Sequence, residues 1–192
     1  MAAATLAGRE NDRMIGLLIA SALLAAPGPG VGVACGLRRL EACESTNQLV
    51  WGPGFERALR RFLGRDADDR VSYLYSRGRL IGQVREVLGG PPDAPRSLPG
   101  GSRLFTACRA HSCEEKGAVA FAADGHIVAI GVLNYHCGKC ARAWLDLFVR
   151  GRGTATETAR TAIVRWAAAA AGDRADILRR SPEKAVILHR LD

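Results

Sequence analysis

One stretch of the sequence, residues 103–135, restricts the fold more than any other because its residues follow the two-residue period of β-strands. It predicts three strands, Arg103–Ala107, Gly117–Ala122 and His126–Tyr135. Asp124 and Gly125 form a dipeptide that is typical of a tight hairpin turn. We therefore expect these strands to pair antiparallel.

Helical patterns lie before these strands. Residues 54–64 have apolar side chains at helical spacing with arginines on the other faces, and Gly64 closes the pattern. A second helix is expected over Leu80–Leu88. Residues 89–101, rich in glycine and proline, then form a connection to the first strand.

The C-terminal third is predicted to be mainly helical. Thr154 and Glu157 fit a capping box that opens a helix running to Ala171, with Gly172 as its stop. Two shorter elements are also expected, a helix over Ala141–Val149 and a strand over Ala185–His189. Together with the helices before residue 103 and the strands over residues 103–135, these elements indicate an α+β fold.

The N-terminus is typical of an export signal. Arg9 and Arg13 precede a 12-residue apolar run, Ile15–Ala26, and a Pro-Gly repeat ends that run abruptly. No apolar run reaches the roughly 18 residues that a membrane span needs. We therefore expect residues 1–34 to be a cleaved signal peptide and low-complexity leader, and residues 35–192 to form one exported, periplasmic domain with a helical C-terminal extension.

Export changes the interpretation of the six cysteines, because thiols become disulfides in an oxidising compartment. They fall as three local couples: Cys35 with Cys43, Cys108 with Cys113, and Cys137 with Cys140. Only proximity favours these pairs, and the sequence leaves the connectivity open. Val33, Ala34 and Cys35 also resemble a lipoprotein cleavage box, in which Cys35 would carry the lipid.

Composition excludes several classes of protein. Hydrophobic residues make up 48% of the chain, which is inconsistent with wholesale disorder. The formal charge of +8 suits a polyanionic partner but does not identify one. The sequence has no nucleophile motif and no phosphate-binding glycine loop. We expect neither catalysis nor a cofactor nor nucleic-acid binding, and the sequence predicts no oligomeric state.

The most specific local pattern is Cys108-Arg109-Ala110-His111-Ser112-Cys113, between two predicted strands. A disulfide between its two cysteines would close a small loop and hold His111 outward at the tip. Cross-linking lowers the cost of ordering a protruding segment on binding. Imidazole can donate hydrogen bonds to carboxylates, and Arg109 adds a fixed charge beside it.

This pattern, the following strand, the Asp124-Gly125 turn and the helix before the motif resemble the Ivy family of periplasmic inhibitors of vertebrate lysozyme. The family signature is C-K-P-H-D-C. The resemblance covers roughly residues 70–135. Arg109 keeps the charge of the family lysine, whereas Ala110 replaces a proline and Ser112 replaces an aspartate.

The resemblance implies an α+β fold with an antiparallel sheet flanked by helices and a protruding, disulfide-closed loop. It implies that Cys108 and Cys113 form the loop disulfide and that His111 enters the lysozyme cleft. The expected partner is a c-type lysozyme, a related muramidase or a lytic transglycosylase. Because c-type lysozymes are basic, we expect an acidic rim on the loop, supplied by Glu114, Glu115 and Asp124.

The second cysteine pattern, His136-Cys137-Gly138-Lys139-Cys140, leaves three interpretations open. It fits a small disulfide, and it also fits a thioredoxin-type redox site at a helix N-terminus. In the third, Cys137 and Cys140 join Cys108 and Cys113 around zinc. The alternative function is therefore a zinc-binding or nucleic-acid-binding module.

Overall fold

The computed structural model describes residues 34–135, 142–172 and 176–191. Within them a six-stranded sheet has the order β3-β4-β5-β6-β7-β8. Its strands are β3 (Arg96–Ser97), β4 (Arg103–Arg109), β5 (Ser112–Phe121), β6 (Ile127–Asn134), β7 (Trp144–Arg150) and β8 (Val186–Leu191). All neighbours pair antiparallel except β7 and β8, which are parallel. Two short strands, β1 (Arg70–Val71) and β2 (Gly78–Arg79), form a separate antiparallel pair.

Helices cover both faces of the large sheet. One face packs against the N-terminal helices, α1 (Thr46–Val50), α2 (Phe55–Leu63) and α3 (Leu80–Leu88). The other face packs against α4 (Thr154–Ala170) and the short α5 (Asp176–Arg180). Burial on both faces explains why the central strands are apolar at nearly every position. The predicted α+β fold, with a mainly antiparallel sheet flanked by helices, is confirmed.

Most of the predicted elements are present. The helix over Leu80–Leu88 has the predicted bounds, and the helix over residues 54–64 is observed at Phe55–Leu63. The three predicted strands correspond to β4, β5 and β6, joined by the Asp124-Gly125 turn. The closing strand is also present, as β8.

Two predictions in the C-terminal third were wrong. The helix expected over Ala141–Val149 is strand β7, whose side chains alternate between two buried faces, so that its apolar run hides the two-residue period. The Thr154 capping box does not form, because Gly153 is the N-cap and Thr154 is already the first helical residue. Helix α4 itself ends close to Gly172, as predicted.

A polar cluster joins the last three strands of the large sheet, β6, β7 and β8. Asp146 is fully buried and accepts a hydrogen bond from Asn134 Nδ2 at 2.8 Å, and its Oδ1 lies 2.8 Å from His189 Nε2. His189 stacks on Phe148 with ring centroids 4.5 Å apart. Burial, reinforced by the Asp146 charge, raises the pKa of Tyr73 to about 12. This cluster ties the C-terminal strand to the sheet.

The predicted signal peptide, residues 1–34, lies outside the described residues except for Ala34. Among the described residues, no helix combines the length and the apolar character that crossing a bilayer requires.

Candidate functional site

The turn between β4 and β5 displays His111. Arg109 pairs with Ser112, so the turn itself consists of two residues, Ala110 and His111, and both are exposed. His111 has φ +62°, and it is the only non-glycine residue in the described ranges with positive φ. This conformation costs an L-residue roughly 1–2 kcal/mol, and local strain of this kind is concentrated at functional sites.

A disulfide closes the turn at its base. Cys108 and Cys113 are bonded, with Cα atoms 4.7 Å apart. The pairing register changes beside them, because Cys108 lies opposite Lys116 while Arg109 lies opposite Ser112. Residues 113–115 therefore form a bulge in β5, and bulges bend a strand and redirect its side chains. We call residues 108–113 the tip loop.

Arg109 lies inside the base of the tip loop rather than on its rim. Its guanidinium contacts Glu115 Oε2 at 2.5 Å and Glu86 Oε1 at 2.7 Å. The side chains of Arg109 and Glu115 are only 17% and 8% exposed. The hydrogen bond to Glu115 is the main cause that raises the pKa of Arg109 above its ordinary value. Arg109 is thus a structural brace between α3 and the hairpin.

The expected acidic rim is largely absent. Glu115 is buried, and its Oε1 accepts a hydrogen bond from the backbone N–H of Tyr75 at 2.7 Å. Asp124 lies at the opposite end of β5, because successive hairpins turn at opposite ends of a strand. There it accepts the His126 backbone N–H at 3.1 Å, and this bond is the main cause that lowers its pKa. Only Glu114 is exposed beside the tip loop.

The glycine- and proline-rich connection after α3 supports the tip loop from the edge of the sheet. Pro91 O accepts the Cys108 backbone N–H at 3.0 Å, and Thr106 O accepts the Asp93 N–H at 3.0 Å. In the chain, Gly90 comes between the end of α3 and Pro91, and its backbone lies directly against the tip loop. A Cβ on Gly90 would lie 2.3 Å from Cys108 O and 2.5 Å from the Ala110 nitrogen. Only glycine allows this approach.

We expect Gly90→Ala to lower the free energy of unfolding by about 1–3 kcal/mol, since the backbone of the tip loop must move to admit the methyl group. Urea denaturation measures the loss. Gly82→Ala is the matched control, because a Cβ at Gly82 meets nothing within 4 Å. Equal effects of the two substitutions would contradict the close packing described for Gly90.

The remaining cysteine predictions divide between described and undescribed residues. Cys35 and Cys43 form a second disulfide, with Cα atoms 4.5 Å apart. This bridge lies at the far end of β5, where the backbone of Leu37 contacts Gly125. Cys137 and Cys140, predicted as a disulfide, a redox pair or zinc ligands, lie outside the described residues.

The chemistry that the tip loop offers is hydrogen bonding by the His111 imidazole. Within the described ranges, no group of three or more His, Cys, Asp or Glu side chains is arranged to hold a metal ion. As a disulfide, Cys108 and Cys113 provide no thiolates for zinc. No described residue forms a hydrogen bond or an ion pair with His111, and the residue is exposed, so its imidazole is accessible to an external ligand.

Sequence reasoning located the tip loop but missed its supports. Glu86 was not singled out, and Arg109 and Glu115 were expected to face the partner. The only available signal was that Glu86 lies within a predicted helix whose apolar positions pack against the core. Compared with known protein families, curated proteins and solved structures, the chain matches none of them.

Proposed function

We propose that this chain is an exported protein that inhibits a c-type lysozyme, or a related muramidase or lytic transglycosylase, by inserting His111 into the active-site cleft. The observation that carries the proposal is a single exposed histidine on a two-residue turn, closed by the Cys108–Cys113 disulfide. The protein acts by occlusion and has no catalytic role of its own.

The chemistry of the target suits an imidazole. A c-type lysozyme uses one protonated and one ionised carboxyl group on either side of the scissile bond. A histidine between them donates to the carboxylate and accepts from the acid, or donates twice when it is protonated. In either state, it excludes the sugar.

Local charge reduces the repulsion between two basic proteins. The whole chain carries +8, but the base of the tip loop is different. Arg109 of the tip loop pairs with Glu86 and Glu115, so two acids offset one base there, and Glu114 and Lys116 add one charge of each sign. Because screening confines surface electrostatics to about 8–10 Å at physiological salt, this local balance governs the final approach more than the net charge does.

The disulfides support the assignment to an oxidising compartment. All of the cysteines in the described residues are paired. The Cys35–Cys43 bond uses the thiol that lipidation would require, which favours an exported form without a lipid anchor.

Location, thiol content and inhibition together test the proposal. Fractionated cells should hold the protein in the periplasm with no thiol that reacts before reduction, and the purified oxidised protein should inhibit a c-type lysozyme. Full thiol reactivity in a cytosolic fraction would overturn it and favour the zinc- or nucleic-acid-binding module.

We expect Cys113→Ala to weaken inhibition about five- to tenfold, because the open loop loses preorganisation worth about 1 kcal/mol. The fold should remain intact, since the cross-link closes only six residues. Cys43→Ala, which breaks the disulfide at the far end of β5, is the control and should leave inhibition unchanged. Global unfolding of Cys113→Ala, seen by circular dichroism, would show that the tip disulfide serves the fold instead.

A further inference from the structure

Two large aromatic side chains are exposed on the surface around the base of the tip loop. Tyr75 is 88% exposed and Trp51 is 61% exposed. Among the described residues, the other exposed large apolar side chains are Ile187 and Leu188, on the edge strand β8, and both are less exposed, at 38% and 41%. We call Tyr75 and Trp51 the flanking aromatics.

The segment that carries Tyr75 is built to be rigid. Gln83, buried on α3, accepts the backbone N–H groups of Tyr73 and Leu74 and donates to Val71 O and Ser76 O. The Gln83 side chain thus makes all four of its hydrogen bonds, two accepted and two donated, with a single loop. Such a loop has little conformational entropy left to lose on binding.

The same loop is joined directly to the support of the tip loop. The backbone N–H of Tyr75 donates to Glu115, whose other oxygen holds Arg109. The Ser76 hydroxyl donates to Glu86 Oε2 at 2.8 Å, and Glu86 also holds Arg109. Two carboxylates therefore fix Tyr75 and the tip loop in one rigid unit.

Trp51 packs against another face of α3, beside Arg85 and the glycine that follows the helix, Gly89. Its ring lies under the guanidinium of Arg85, 5.4 Å from the ring centroid, and Arg85 is held by Glu56 at 2.7 Å. A Cβ on Gly89 would be 3.0 Å from the Trp51 ring, and Gly90, the next residue, lies against the tip loop. Trp51 is thus fixed beside the same surface.

We propose that the flanking aromatics and His111 form one binding surface, in which Trp51 and Tyr75 dock on the protein surface around the cleft that His111 enters. The inference rests on the proposed function and adds two specificity-determining residues to it. Tyrosine and tryptophan are the side chains most enriched among binding hot spots, because they bury large area at low entropic cost. A histidine alone covers too little surface for tight inhibition.

Inhibition constants against a c-type lysozyme test this surface. Tyr75→Ala and Trp51→Ala should each weaken inhibition about tenfold or more. Tyr75→Phe should retain most of the inhibition, since the ring supplies the contact area. Leu188→Ala is the matched control for loss of an exposed apolar side chain away from the tip loop, and it should leave inhibition unchanged.

The possible results separate the two proposals. If His111→Ala loses inhibition while Tyr75→Ala and Trp51→Ala stay within twofold of the parent, the aromatic surface is refuted and the inhibitor function stands. If the oxidised parent inhibits no lysozyme, no related muramidase and no lytic transglycosylase, both proposals fall. Binding of purified glycan strands to the parent that Tyr75→Ala abolishes, with inhibition retained, would also overturn the surface and assign Tyr75 to sugar binding. Because Tyr75 is so exposed, misfolding is not expected, and an unchanged thermal midpoint checks this.

Discussion

His111→Ala is expected to weaken inhibition of a c-type lysozyme about 30-fold, which corresponds to about 2 kcal/mol. The loss arises because the carboxyl groups of the enzyme remain desolvated by the tip loop but lose their imidazole partner. No described residue forms a hydrogen bond or an ion pair with His111, so the substitution removes no such interaction within the described structure. Inhibition constants of the parent and the variant measure the effect.

The left-handed backbone of His111 requires a matched pair of variants. Alanine tolerates φ +62° poorly, whereas asparagine adopts it readily and glycine adopts it freely. His111→Asn and His111→Gly should therefore keep the turn and still lose inhibition. Full inhibition by either variant would show that the turn, and not the imidazole, makes the contact.

Arg109→Ala is expected to lower the free energy of unfolding by about 3 kcal/mol. The substitution leaves the Glu115 carboxylate, whose side chain is 8% exposed, without its cation, and it also releases Glu86. The sequence alone indicates only a fixed charge beside His111, whose removal would have a smaller effect, on the rate of association. In the structure, Arg109 instead holds the hairpin to α3. We therefore expect inhibition to fall together with stability.

Chemical denaturation of Arg109→Ala measures this loss. The double variant Arg109→Ala/Glu115→Gln is the control, and it should recover part of the stability because the buried charge is removed. Arg77→Ala, at an exposed arginine for which the structure gives no ion pair, should change the unfolding free energy by less than about 0.5 kcal/mol. Stability of Arg109→Ala equal to that of Arg77→Ala would contradict the brace.

Local patterns allowed much of the fold to be predicted. The helix over Leu80–Leu88 combines apolar spacing with an immediate Gly-Pro stop, and the Asp124-Gly125 turn fixes an antiparallel pair. The cysteine spacing likewise located the tip loop, because its two cysteines are close in sequence. These features depend on residues within one or two turns of each other.

Features that depend on long-range packing were not predictable. Strand β7 was mistaken for a helix because burial on both faces removes the alternation of apolar and polar residues. The ion pair of Arg109 with Glu86 spans 23 residues, and the contact of Tyr75 with Glu115 spans 40. No periodicity encodes such pairs, so a buried brace was taken for an exposed rim.

Steady-state kinetics of a c-type lysozyme at increasing concentrations of the oxidised protein test the central claim, occlusion of the cleft by the tip loop, most directly. Occlusion by His111 predicts competitive inhibition, with a rising apparent KM, an unchanged kcat, and an effect much reduced for His111→Asn. Absence of inhibition at all concentrations, or a fall in kcat with KM unchanged, would contradict it.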